Sequence, residues 1–483
     1  MMKSYKNIIL LCLTVLMTVS CFKDNDDNFA SSTSIKNFVY RGMNAFYLYK
    51  PDVPELADDR FATVPELEEF HSIYDTPEAF FESLVFDRSL TDRFSVIVSD
   101  YIALEQLFAG TTLNNGMEFG LVGETGSASN VWGGYVRYVL PNSSASTQGV
   151  ARGMIFNQID GIQLTRDNFS VLLGQDSYTI GLADLNAGVA TSNGMTITLD
   201  KTSLTENPVF RTAIIDQGSQ KIGYLMYNSF TSNFDEQLND AFGTLQSAGV
   251  THLVLDLRYN GGGSVNTSII LGSLIAGQPT SDVFSTEEWN PDVQEFFENN
   301  QPDRLTNFFK TTTNAGTALN TLGLSKVHVI TTGSSASASE LVIAALEPYV
   351  DVIQVGDDTA GKFQASITLY DSSDFGRSGA NPAHRYALQP LVLKSINSAG
   401  FTDYFNGLAP DIALREDFEN LGILGDINEP LLAACLQDIM ANGRPSFNKS
   451  SIQYDELSGS MELKPFSQEM WKETELGDYL ISQ

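Results

Sequence analysis

The chain reads as a multidomain α/β protein, and three features predict it. At 483 residues it is too long for one compact core, so two to four domains are expected. From about residue 206, β-branched runs alternate with apolar helix patterns, the order that builds a largely parallel sheet flanked by helices. Ahead of that stretch, residues 34–105 carry helix-like segments and residues 114–201 carry short β-rich runs parted by glycine turns. The composition, 42% hydrophobic and 18% charged, is that of an ordinary globular protein. A formal net charge of −31 argues against nucleic acid and anionic lipid surfaces as partners and favours solubility.

The N-terminus reads as a targeting segment. Lys3 and Lys6 form a basic region, and Ile8 to Val19 is an apolar run too short to span a bilayer comfortably. Ser20-Cys21 follows, then the acidic Lys23-Asp24-Asn25-Asp26-Asp27. This resembles a bacterial lipoprotein signal, with residues 1–21 as the signal region and Cys21 as the lipidated residue. Thr18 stands where leucine is usual, and an ordinary secretory signal is the other reading. The acidic stretch resembles surface-export signals of Bacteroidetes lipoproteins. The expectation is a bacterial cell-envelope protein held at the outer membrane, periplasmic or surface-exposed, through a lipid anchor at Cys21. Residues 22–33 read as a tether. Of the three cysteines only Cys435 remains, in an apolar helix pattern, and it reads as an inert buried thiol.

Residues 34–105 are expected to form an N-terminal helical domain, with Ile35 to Tyr49 and Thr76 to Leu84 as its clearest helices. In residues 114–201, two pieces carry meaning. Phe119-Gly120-Leu121 is an apolar-glycine-apolar segment. Tyr138-Val139-Leu140-Pro141 leads to Gly149-Val150 and then Met154 to Gly161. Together they resemble a PDZ domain, in which such a loop holds a peptide carboxylate on backbone N–H groups while the peptide adds as a strand. Met154 replaces the aspartate usual after the glycine at Gly153, and a plain β-domain without a ligand is the other reading. From 206 to 470 the core follows. Lys221 to Tyr227 and His252 to Leu257 read as strands, and Phe234 to Ala248 and Ser264 to Ala276 as helices. Residues 278–325 are polar and read as an insertion or lid.

The most informative stretch is residues 326–362. A β-branched run, Val327 to Thr332, ends in the turn Ser335-Ala336-Ser337-Ala338-Ser339-Glu340, where an apolar helix pattern begins. A second β-rich run, Asp351 to Gly356, ends in the loop Gly361-Lys362. A strand-to-helix turn lifts a serine hydroxyl out at a helix N-terminus, and the next strand can return one lysine to it. Such a pair can hydrolyse without histidine or metal. The lysine must be neutral to take the serine proton, so its pKa, ordinarily about 10.4, has to be depressed by burial. Other readings are poor. The turn lacks the second glycine of a G-x-S-x-G elbow, His71, His252, His328 and His384 show no paired metal spacing, and Gly261-Gly262-Gly263 lacks a Walker ending. No cofactor and no metal are expected.

These residues resemble the C-terminal-processing (tail-specific) serine peptidases, over about residues 115 to 415. The resemblance implies Ser337 as nucleophile and Lys362, 25 residues later, as its base. It draws in a second segment, Leu253 to Gly263, and a late strand, Gly407 to Ile412. It implies a crotonase-like (ββα spiral) peptidase core and an oxyanion site from the N–H groups of Gly262 and Ala338. Glu340 is either an acid orienting the lysine or a first-turn glutamate favoured by the helix dipole. Pro348 and Ser366 stand where the family has an acid and a glutamine, with Gln364 two residues after the lysine. The implied function is an exported serine endopeptidase acting on peptides or unfolded protein tails through an acyl-enzyme. The alternative is a catalytically silent peptide-binding lipoprotein of the same fold.

Overall fold

The runs at residues 220–227, 252–256 and 326–331 form strands buried on both faces, as a parallel sheet requires. The computed structural model describes residues 30–124, 133–186, 189–218, 220–440, 454–461, 463 and 466–473. The expected signal, Cys21 and most of the tether lie outside the described residues.

Helix α1 (Ser32–Phe46) is capped by Ser31, whose Oγ accepts from the Ser34 N–H at 3.1 Å. Its Phe38, Val39, Met43 and Phe46 enter the main apolar core, as do Phe80 and Phe81. The N-terminal helices, expected as a helical domain, pack their apolar faces into one core with the rest of the chain. A short strand from this region, Val96–Val98, pairs with Ala387–Gln389 far along the chain.

The β-rich domain follows with β1 (Met117–Glu124), β2 (Gly133–Val139), β3 (Ile155–Ile159), β4 (Ser177–Asn186) and β5 (Val189–Asp200), all antiparallel around Phe119, Val136, Phe156 and Ile180. The core then runs β6 (Val209–Gln217), β7 (Gln220–Tyr227), helix α2 (Asp235–Ser247), β8 (His252–Asp256), β9 (Gly263–Ser264), helix α3 (Val265–Ala276), β10 (Val283–Trp289) and β11 (Thr306–Phe308). It continues with β12 (Lys326–Thr331), helix α4 (Ala338–Leu346), β13 (Asp351–Gly356), β14 (Gln364–Ser366), β15 (Leu391–Asn397), β16 (Ile412–Ala413) and helix α5 (Pro430–Ile439). The C-terminal segment adds β17 (Tyr454–Gly459) and β18 (Met470–Trp471).

The first core sheet has the order β6-β7-β8-β12-β13-β16, parallel from β7 onward. Its side chains alternate between faces. Leu225, Leu253, Leu255 and Val329 join α3 and α4 on one side, while Tyr224, Met226, Val254 and Ile330 join α5 on the other. The second has the order β9-β18-β14-β15-β10-β11, so the C-terminal strand lies inside it. Residues 278–325, expected as a polar insertion or lid, are built into this sheet through β10 and β11. Trp289, Val293, Phe297 and Phe309 are buried there. The segment's polar average hid its few core-facing positions.

A buried ionic cluster joins the β-rich domain to the core. The Arg258 guanidinium bonds Asp256, Glu416 and Glu429, and Arg152 of the β-rich domain reaches Glu416 at 2.8 Å. Burial pushes the Glu416 carboxyl up, but Arg152 and Arg258 overcome it and hold the group at about 2.

Candidate active site

The turn between β12 and α4 is held on every side. Ser335 Oγ accepts from the Thr332 N–H at 3.0 Å and donates to the Leu257 carbonyl at 2.8 Å. The Ala336 N–H and the Ser339 hydroxyl both donate to the Asn260 carbonyl, at 3.1 and 2.9 Å. This bracing forces Ser337 to φ +61° and ψ −114°, a conformation a non-glycine residue adopts only when its surroundings over-determine it. Ser337 is fully buried, and its Oγ donates to the Gln468 carbonyl at 3.1 Å.

Lys362 arrives on the loop after β13. Gly361 takes φ +82°, and a Cβ there would lie 2.2 Å from the Phe405 carbonyl oxygen, so glycine is required to turn the chain. From the N-terminal region, Arg93 Nη2 grips the Ala360 and Gly361 carbonyls at 3.2 and 3.0 Å. The amine is wholly enclosed, 4.5 Å from the Phe94 ring centroid, and donates to Glu469 Oε2 at 2.6 Å. Burial pushes Lys362 below its usual 10.5; Glu469 opposes that shift without cancelling it. The same burial raises Glu469.

Glu340 ties the two together through their backbones. Its Oε2 accepts from the N–H of Ser337 at 2.7 Å and of Lys362 at 2.9 Å. Its Oε1 accepts from the Gly361 N–H at 2.7 Å and the Thr359 hydroxyl at 2.5 Å. Burial pushes Glu340 up to about 7, against these four donors, which all favour the carboxylate. Glu340 therefore positions the backbones that carry the hydroxyl and the amine, rather than gripping the amine itself. A base at Lys362 works only when neutral, and Glu340 holds its four donors most strongly when ionised, so both effects make activity rise with pH. A plot of kcat/KM against pH is expected to climb through a group near 7 and again through one below 10.5. A Glu340→Gln variant is expected to lose the first limb.

The glycine loop lies directly against Ser337. Gly262 has φ +113°, and a Cβ there would sit 2.6 Å from Ser337 Cβ and 2.7 Å from the Glu469 carbonyl oxygen. Its N–H, expected to serve an oxyanion, donates to Asn260 Oδ1 at 2.9 Å in this state. Ala338 is buried at the first position of α4, where an N–H has no acceptor within the helix. Of the helper positions, Ser366 Oγ donates to the Met470 carbonyl at 3.1 Å and Gln364 Nε2 to Tyr49 Oη at 2.8 Å.

Phe119-Gly120-Leu121 is not a loop, as expected, but the middle of β1. It pairs with β2 on one side and with the chain's own β17 on the other. An apolar-glycine-apolar triplet is equally at home in a buried strand. Between this sheet and the core lies a cavity of about 110 Å³, lined by Glu118, Tyr138, Tyr259, Gly262, Glu469 and Trp471 among others.

Sequence reasoning missed Glu469, Asn260 and Phe94, which touch or brace the site. Nothing local to Glu469 marks it, since it stands about a hundred residues from Lys362. Asn260 belongs to the segment singled out for its glycines, and that placement was its available signal. Cys435 is buried, and its thiol is pushed well up by burial, as an inert group would be. His328 bonds Asp438 at 2.8 Å and His384 bonds Asp371 at 3.0 Å. No cluster suited to a metal ion occurs among the described residues.

Fold and site together place a buried serine at a helix N-terminus and a buried lysine on the loop after the next strand, their backbones joined by the Glu340 carboxylate. The chain belongs to peptidase family S41. The model of that family matches residues 221–412, and that of the S41 N-terminal domain matches residues 34–96, together more than half of the chain. An S41 protease candidate from Bacteroides fragilis NCTC 9343, known as a crystal structure, superimposes with a TM-score of 0.64 at 26% identity. That match covers 84% of this chain and 97% of that one. Similar sequences include the chloroplastic C-terminal processing peptidase of Tetradesmus obliquus, 26% identical over 286 residues, covering 56% of each chain. The carboxyl-terminal-processing protease of Picosynechococcus sp. is 26% identical over 227 residues, covering 46% of this chain and 49% of that one. The chain thus spans about half the length of the curated relatives it matches.

Proposed function

We propose that this chain is a serine endopeptidase that cleaves peptides or unfolded protein tails, with Ser337 as nucleophile and Lys362 as general base. The observation that carries the reading is the enclosed Lys362 amine, whose charge burial disfavours, on a loop that shares a carboxylate with the Ser337 backbone. The neutral amine takes the Ser337 proton as Oγ attacks a peptide carbonyl carbon. The Ala338 N–H, with Gly262 once released from Asn260, stabilises the oxyanion. Lysine then protonates the leaving amine, and water, activated by the same amine, hydrolyses the acyl-enzyme. The core is read as crotonase-like and the β-rich domain as PDZ-like, with β1 at Phe119-Gly120-Leu121 taking a peptide as a neighbouring strand in the place that β17 fills here.

The test is cleavage of β-casein, an unstructured protein. Turnover is expected with the unaltered chain and not with Ser337→Ala. Binding of casein without turnover by the unaltered chain would favour the silent reading. On the reading of residues 1–21 as a lipoprotein signal, the enzyme is held at the cell envelope through Cys21; Cys21→Ser is then expected to move it from the membrane to the soluble fraction. No helix among the described residues is long and apolar enough to cross a membrane.

A further inference from the structure

The C-terminal segment sits where a substrate would sit. Its first part, β17, adds antiparallel to the β1 edge from Glu124 to Gly120. Ser460 extends the pairing: its N–H donates to the Phe119 carbonyl at 2.9 Å, and its Oγ accepts from the Phe119 N–H at 3.0 Å. Further on, β18 lies parallel between β9 and β14, two strands that flank the nucleophile. The Lys472 N–H donates to the Ser366 carbonyl at 3.0 Å, Met470 is fully buried, and the Trp471 ring stacks on Phe108 at 4.0 Å.

Between these anchors two consecutive residues meet the catalytic groups. The Gln468 carbonyl oxygen accepts from Ser337 Oγ, and the Glu469 carboxylate takes Lys362 Nζ at 2.6 Å. Neither contact helps the reaction. The hydroxyl points at the carbonyl oxygen rather than at the amine that would accept its proton. A carboxylate against the amine favours the ammonium form, which has no lone pair for that proton. The arrangement occupies the cleft with an extended chain and ties up both reactive groups at once.

We propose that residues 454–461 and 466–473 act as an intramolecular strap, the first along the β1 edge and the second between β9 and β14, with Glu469 as its latch on Lys362. Extended polypeptides enter by displacing it. This rests on reading Ser337 and Lys362 as the reactive pair. A strap in the same chain needs little intrinsic affinity, because tethering gives it a high effective concentration. The substrate implied is a chain that pairs antiparallel with β1 and parallel with β9, as the strap does.

Two measurements on the full-length protein test this. The first is β-casein turnover. Glu469→Ala, and less strongly Glu469→Gln, is expected to raise it by about tenfold, the loss of one charge-assisted hydrogen bond. Turnover equal to or below that of the unaltered chain would overturn the latch. The second is hydrogen exchange in Ser337→Ala. The amides of Met470 to Lys472 are expected to be protected in the protein alone and to lose protection when a synthetic peptide of residues 454–473 is added in millimolar excess. Protection that persists would overturn the displaceable strap. If no variant cleaves casein, the dyad reading fails, and the exchange experiment still decides whether the strap leaves its seat.

Discussion

Replacing Lys362 by methionine is expected to lower kcat/KM for β-casein by about 10²- to 10⁴-fold, the usual contribution of a positioned general base. The protein should remain folded. Methionine fills much of the same apolar space beside Phe94, and Glu469, already raised by burial, can take up a proton when its cationic partner is gone. Lys362→Arg separates base catalysis from simple charge. Arginine keeps the cation but does not lose its proton at working pH, so it is expected to be as inactive as methionine. Steady-state kinetics with a thermal melt on each variant checks both parts. Near-normal kcat/KM in the arginine variant would remove Lys362 from the role of base.

The second large effect is expected at Gly262. An alanine there would bring its Cβ to 2.6 Å from Ser337 Cβ and 2.7 Å from the Glu469 carbonyl oxygen, at a φ of +113° that side chains rarely adopt. Backbone atoms cannot yield as a flexible side chain can. Gly262→Ala is expected to cut kcat by about 10²- to 10³-fold, the scale of a lost oxyanion donor. It is also expected to destabilise the fold by about 1–3 kcal/mol through backbone strain. Gly149 supplies the contrast: its φ is +77°, but nothing lies within 4 Å of an added Cβ. Gly149→Ala should carry a backbone cost alone, with kcat unchanged. Equal kcat in the two variants would separate the glycine loop from the chemistry.

Ser337 and Lys362 were legible because each belongs to a local pattern. One is a strand running into a small-residue turn and an apolar helix; the other is a strand running into a Gly-Lys loop. Local backbone preference and side-chain periodicity act over a few residues, and one chain displays them directly. The helices expected at residues 35–49, 234–248 and 264–276 follow the same logic and appear within a few residues as α1, α2 and α3. Phe119-Gly120-Leu121 misled because three residues do not distinguish a carboxylate-binding loop from a buried strand. Residues 278–325 misled because an average over a polar segment conceals Trp289, Val293, Phe297 and Phe309.

The amino-acid order by itself determined the candidate pair, Ser337 and Lys362, and the α/β character of the fold that carries it, since strand, turn and helix signals are written in neighbouring residues. Tertiary structure alone decided three things: that the Lys362 amine is dry, that Glu340 joins the two halves of the site through backbone N–H groups, and that Glu469 reaches the amine from a distant part of the chain. Solvent exclusion and contacts between distant residues depend on how sheets pack and on which strand fills which gap. No window of neighbouring residues contains that information.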